Sequence, residues 1–323
     1  MTKKTILIYG ASSFLGSNLV ECLRRDYRVV GTYNKNKVEV PGVLMLHCDV
    51  LNRNSVQSLL YTIQPDITIY AAGLTSMLDC DENEKLGELL QGSGAYNVME
   101  FAERYKSKFV IITSSFVFPG QQVLYTESET PLTNTILGNK IASTEFYVQK
   151  SCLNYLILRS CPLFGRSYHP LDRTYFELLE HYFAHNLNLP CDSRVHTGFL
   201  DVVFFAEVLK QCIDLNVTNR LLQVSTKDTM TRYEFALAYA RKFKQNESLV
   251  TKYNWPYPFD SKNISAYRTD GDLYFSLSTT NIETLLKRKM PTIEEALTMA
   301  QNRFTKSSKQ TKSMKKTSGV SFI

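Results

Sequence analysis

The run Ile6-Leu7-Ile8-Tyr9-Gly10-Ala11-Ser12-Ser13-Phe14-Leu15-Gly16 carries the fold. Its apolar start reads as a strand, and the three-and-four spacing of apolar residues over Leu15–Arg25 reads as a helix. Between them stands Gly-x-x-Ser-x-x-Gly, close to the glycine turn that opens a dinucleotide-binding βαβ unit. Gly10 permits the tight turn, and Gly16 permits close packing of helix on strand. The helix N-terminus then offers Ser12, Ser13, Phe14 and Leu15 to a pyrophosphate. Ser13 replaces the glycine that lets backbone approach the phosphates. It fits with a negative φ, and its hydroxyl can donate.

The ends of the next three strands supply chemistry of the same kind. The second ends Gly31-Thr32-Tyr33-Asn34-Lys35-Asn36-Lys37, with no carboxylate for a ribose 2′-hydroxyl. Thr32, Asn34 and the lysines, Lys35 first, suit a 2′-phosphate better, so NADP(H) is favoured and NAD(H) is the alternative. A solvated basic turn is the plainer account of the same residues. The third strand ends His47-Cys48-Asp49-Val50, placing Asp49 and Val50 where adenine would lie. The fourth ends Ala71-Ala72-Gly73, small enough for a cofactor to rest on backbone.

Strand-like runs at Thr5–Tyr9, Arg28–Tyr33, Val43–His47, Ile67–Tyr70, Phe109–Thr113 and Tyr155–Arg159 alternate with helical patterns. That rhythm predicts an α/β fold, a doubly wound parallel sheet of the Rossmann type. Residues 1–165 form its dinucleotide-binding half, and a segment near 198–215 returns to it. Residues 166–302 are mainly a smaller mixed α/β substrate-binding lobe. Residues 303–323 read as a basic tail, low in complexity and disordered.

The 323 residues carry 37 Lys and Arg against 31 Asp and Glu. Six of those bases, Arg303 to Lys316, sit in the tail without an acid, so the body is charge-balanced. This argues against specific nucleic-acid binding. The seven cysteines lack paired spacing, which predicts free thiols in a reducing compartment. With no signal-peptide pattern and no run of about 18 apolar residues, a cytoplasmic chain without a transmembrane segment is expected. A homodimer is the expected assembly. Glu180-His181 and His185 have helical zinc spacing but no third ligand, so no metal site is expected. His169 and His196 read as loop residues, and Asp201 as a positioner of a returning strand.

From about Ile6 to Phe304 the chain resembles the extended short-chain dehydrogenase/reductases. Within them it is similar to the dTDP-4-dehydrorhamnose reductase-like branch and the NAD-dependent epimerase-dehydratases. The resemblance rests on Ala71-Ala72-Gly73-Leu74-Thr75, Asp79-Cys80-Asp81-Glu82, Gly94-Ala95-Tyr96-Asn97, Thr113-Ser114-Ser115-Phe116-Val117-Phe118-Pro119-Gly120, Tyr125-Thr126-Glu127, Lys140 with Glu145, and Leu158 to Gly165. It implies hydride transfer between a nicotinamide and a carbonyl or hydroxyl of a nucleotide sugar, in surface polysaccharide or deoxysugar biosynthesis. By resemblance Ser114 orients the carbonyl, and Lys140 binds the nicotinamide ribose and lowers the pKa of a tyrosine four residues before it. Thr75, Ser115 and Arg173 fall on the substrate side.

The tyrosine position is occupied by Ile136, which has no proton to give. Tyr125 and Tyr147 do not restore the spacing. Leu137 stands where a glycine follows the tyrosine, Gln91 where a helix-bending Asn is usual, and Pro162 where a substrate-side Trp is usual. Two readings follow. The chain is an NAD(P)-dependent oxidoreductase or epimerase with another proton donor, such as Thr135, Tyr125 or a residue of the second lobe. Alternatively it is a catalytically impaired NADP(H)-binding scaffold or regulatory subunit.

Overall fold

The computed structural model describes residues 3–73, 84–133, 135–167, 174–253 and 271–304. Seven parallel strands form the central sheet. They are β1 (Thr5–Tyr9), β2 (Arg28–Tyr33), β3 (Leu44–His47), β4 (Ile67–Tyr70), β5 (Lys108–Ser114), β6 (Tyr155–Ser160) and an outermost strand, Arg220–Val224. The order across the sheet runs from Arg220–Val224 through β6, β5, β4, β1 and β2 to β3. Strand order therefore reverses between β1 and β4, and a crevice opens there at the carboxyl ends.

Period-two alternation explains why helices cover both faces. Ile6 and Ile8 point into one core with Leu19, Leu158, Phe205 and Leu209. Leu7 and Tyr9 point into the other, with Val98, Phe101, Phe109 and Ile157. Strands buried on both sides have no polar face, as their sequences show. The helix α1 (Phe14–Leu23) lies against the later helix Val202–Asp214 in the first core.

The expected return to the sheet is longer than residues 198–215. Arg220–Val224 pairs with β6, and Ile282, Leu286 and Met290 join the first core. The second lobe has its own aromatic core of Phe164, Phe176, Phe183, Phe235 and Tyr239. A further correction concerns the tail boundary. Residues 293–304 are helical, so Arg303 and Phe304 belong to that helix. Arg303 pairs with the buried Asp201, which also caps Val202–Asp214 by accepting from the Phe204 amide at 2.9 Å. Burial raises the Asp201 pKa, and the Arg303 cation opposes that rise. Among the described residues no helix is long and apolar enough to cross a membrane.

Candidate active site

The glycine turn has the geometry its sequence demands. Gly10 has φ +80°, and a side chain there would place Cβ 2.7 Å from the Ala71 oxygen and the Ala72 backbone. At Gly16 a Cβ would fall on the Gly10 carbonyl. Ser13 has φ −73°, so a serine is tolerated. Its hydroxyl is the N-cap of α1, accepting from the Gly16 amide at 3.0 Å. The Phe14 and Leu15 amides have no hydrogen-bond partner among the described residues. The arrangement is one that can hold an anion such as a pyrophosphate: two free donors, a helix N-terminus, and backbone that no Cβ obstructs. In Gly16→Ala the added methyl forces α1 off β1. Dinucleotide affinity is expected to fall by at least about tenfold, or about 1.4 kcal/mol. A binding titration beside the unaltered protein measures this, and an undiminished affinity would place the dinucleotide elsewhere.

The remaining cofactor residues divide into surface and support. Thr32 is buried, and its hydroxyl accepts from the Gly10 amide at 3.4 Å, so it props the turn from beneath. That corrects its expected role as a ligand contact. Asn34 and Lys35 are exposed beyond β2. Lys37 is paired with Glu39 at 3.1 Å, which leaves Lys35 as the less encumbered cation. Asp49 spends one carboxylate oxygen on the Leu51 amide at 2.9 Å and keeps the other. Val50 has a buried side chain, and its carbonyl accepts from Asn97 at 3.0 Å; a ligand contact there falls to its amide. Ala71, Ala72 and Gly73 line the crevice edge, partly exposed.

The helix is bent around Gln91, which stands where a helix-bending Asn is usual. Leu89–Gly94 is a π-helical turn between the α-helical segments Glu84–Glu88 and Ala95–Arg104. A π turn frees carbonyls that an α-helix would use. Tyr70 donates to the Leu90 carbonyl at 2.6 Å, and Thr144 donates to the Gln91 carbonyl at 2.6 Å. Neighbouring hydroxyls therefore hold the bend, and asparagine is not required. The Gln91 side chain instead packs on Gly73, where a Cβ would meet its Nε2 at 2.6 Å. The turn also makes room for Lys140, whose stem crosses Gly92.

Lys140 lies on the helix Ile136–Ser151, with its Nζ 3.4 Å from a Glu88 oxygen. Ser114 ends β5, and its hydroxyl accepts from the Phe116 amide at 3.3 Å, which leaves its own proton to donate. Ser115 is 0% exposed, so its expected contact with substrate is corrected. The chain turns there into a short 3-10 segment that directs Ser115 inward. Ile136 is the first residue of its helix, one turn before Lys140.

Two of the substitute donors named from sequence, Thr135 and Tyr125, lie among the described residues. Thr135 caps the helix, accepting from the Gly138 amide at 3.1 Å and lying 3.1 Å from the Thr133 hydroxyl. Tyr125 is buried, stacked on Phe118, and its oxygen accepts from the Gln121 and Gln122 amides. Cysteine nucleophiles are also disfavoured: burial pushes the Cys48 and Cys161 thiols up to about 11, and Cys152 and Cys212 to about 12. Among the described residues no three metal-ligating side chains converge. The His181 and His185 rings lie 4.3 Å apart and tilted, and His196 stacks on Tyr274. Thr75, His169 and Arg173 lie outside the described residues.

Sequence reasoning missed the Glu88 partner of Lys140 and the ion pair of Glu145 with Arg159, closed at 2.6 Å. Both ends of that pair lay in quoted stretches. The signal was an arginine in an otherwise apolar strand, which demands a buried partner.

The family model for the RmlD substrate binding domain matches residues 4–306. The chain belongs to this family. It is an extended short-chain dehydrogenase/reductase of the RmlD-like branch. The spore coat polysaccharide biosynthesis protein SpsK of Bacillus subtilis is 25% identical over 182 residues, 56% of this chain and 60% of that protein. The match thus spans less than two thirds of SpsK. Methionine adenosyltransferase 2 subunit beta of Danio rerio is 23% identical over 250 residues, 74% of each chain. Among solved structures, dTDP-4-dehydrorhamnose reductase from Bacillus anthracis, in complex with NADP, has a TM-score of 0.78 at 20% identity. It covers 94% of this chain and 100% of its own. UDP-glucose 4-epimerase from Thermotoga maritima, with UDP-glucose, has a TM-score of 0.77 at 16% identity, covering 94% and 99%. At these identities the two structures establish the RmlD-like fold.

Proposed function

We propose that this RmlD-like chain binds a nicotinamide dinucleotide, NADP(H) in preference to NAD(H), and is an oxidoreductase or epimerase of the nucleotide-sugar class. The carrying observation is the crevice at the strand reversal. Beside it stand the free Phe14 and Leu15 amides and the small residues Ala71 to Gly73, with Ser114 at the end of β5, and Lys140 on the helix Ile136–Ser151 supports the reading. A nicotinamide held there supplies or accepts the hydride. Phe14 and Leu15 hold the pyrophosphate, Asp49 the adenine side and Lys140 the ribose, while Ser114 donates to the sugar carbonyl. Thr75 and Arg173 complete the substrate side. Relatives named as a dTDP-4-dehydrorhamnose reductase and a UDP-glucose 4-epimerase support the substrate class, and SpsK supports a place in polysaccharide biosynthesis.

Titration with each dinucleotide, followed by a nucleotide-sugar panel read at the reduced-nicotinamide band, tests this reading. Binding with turnover is expected, and binding of neither dinucleotide would overturn it. Lys35→Ala is expected to lower the preference for NADP(H) over NAD(H) by about tenfold, through loss of one charge-assisted contact. An unchanged ratio would remove Lys35 from the 2′-phosphate site.

A second reading rests on Ile136. A pocket that keeps Ser114 and Lys140 but lacks the phenol can serve as a cofactor-binding scaffold. One relative is named as a subunit of a methionine adenosyltransferase, which favours a regulatory version of it. Tight binding with no turnover on any nucleotide sugar would select this reading.

A further inference from the structure

Seven buried side-chain nitrogen and oxygen atoms lack a partner among the described residues, and six belong to Ser115, Arg159, Thr197, Gln223 and Ser225. Four of these residues, Ser115, Arg159, Gln223 and Ser225, stand on β5, β6 and the strand Arg220–Val224 or just beyond their ends. The parallel register sets Thr113 beside Arg159 and Arg159 beside Gln223, so these three side chains share one face. Ser115 and Ser225 lie two residues further along. The Ser225 hydroxyl faces the Cys161 thiol.

Arg159 and Gln223 are 1% and 0% exposed. Glu145 takes Arg159 Nε at 3.2 Å and Nη2 at 2.6 Å, and also receives the Thr113 hydroxyl. Arg159 Nη1 has no acceptor, and both atoms of the Gln223 side-chain amide are unpaired. A dry amide costs on the order of 2–7 kcal/mol against a non-bonding medium, and a dry guanidinium nitrogen adds to that. Arg159 and Gln223 are register partners on neighbouring strands about 4.8 Å apart, and buried polar groups so placed are commonly satisfied by an internal water. Because Glu145 already neutralises Arg159, the site calls for a neutral ligand with both donor and acceptor capacity.

We propose that this edge of the sheet holds an internal water site, with one water accepting from Arg159 Nη1 and donating to Gln223 Oε1. Ser115 Oγ provides a further partner above it. The site steadies the segment that follows Ser114. Glu127 accepts from the Gln223 backbone amide at 3.0 Å and from Asn281 at 2.8 Å, while Phe118 lies 4.8 Å from the Arg159 guanidinium.

A crystal structure of the full chain at a resolution that shows ordered solvent tests the site. A peak about 2.7–3.2 Å from both Arg159 Nη1 and Gln223 Oε1 is expected. A direct Arg159–Gln223 hydrogen bond with no solvent peak overturns it. The Gln223→Met variant gives an independent sign. If water satisfies the amide, the substitution removes hydrogen bonds and Tm falls by about 2–4 °C. If the site is dry, the substitution relieves an unsolvated amide, so an equal or higher Tm overturns the proposal.

Discussion

Ile136→Tyr is expected to raise turnover on a nucleotide sugar by on the order of 10²- to 10⁴-fold, the usual contribution of a positioned general acid. Position 136 opens the helix Ile136–Ser151, and Lys140 follows one turn later. Residues four apart on a helix are neighbours, so a phenol at 136 comes beside an ammonium that stabilises its ionised form. Ser114 already presents a free hydroxyl proton at the end of β5. Tyr125 is buried and stacked on Phe118, and the Thr135 hydroxyl, besides capping the helix, lies against the Thr133 hydroxyl. The measurement is kcat on the best sugar of the panel, with dinucleotide affinity as a control. A kcat that is unchanged or lower in the variant means that another group delivers the proton. If neither protein turns over while both bind the dinucleotide, the scaffold reading stands.

The largest expected loss of stability comes from Arg159→Met. The Arg159 and Glu145 side chains are 1% and 2% exposed and make a bidentate pair. Removing the cation strands a carboxylate in the interior, at a cost of about 3–5 kcal/mol. That is a large share of the ~5–15 kcal/mol by which a domain is stable. The double variant Arg159→Met with Glu145→Leu removes both charges and is expected to recover most of the loss. Denaturant midpoints for the two singles and the double measure the coupling. A single variant within 1 kcal/mol of the unaltered protein would show that water reaches Glu145. The pair matters to the site because Glu145 docks the same helix that carries Lys140.

Legibility in the sequence followed the range of the interactions. Six of the seven sheet strands were readable, since a strand apolar on both faces is a local pattern. The seventh, Arg220–Val224, was missed. It is five residues long and follows a polar turn, and only pairing with β6 makes it part of the sheet. The glycine turn was readable because Gly10 and Gly16 answer constraints within a few residues. Thr32 and Ser115 were misplaced because residue type cannot say which side of a strand end faces ligand. The bend at Gln91 was not legible either, because it is held by hydroxyls of Tyr70 and Thr144, far away in the chain.

By itself, the run from Ile6 to Gly16 determined a parallel α/β fold with a tight glycine turn into the first helix. Strand alternation and glycine stereochemistry are properties of neighbouring residues. The identity of residue 136 likewise raised the question of the proton donor without any coordinates. Only the tertiary structure decided which polar residues support the crevice and which are free to act in it. Hydroxyls, carboxylates and guanidinium groups take their roles from partners brought together by folding. Tyr125 and Thr32 are buried, whereas Ser114 is partly exposed at the end of β5.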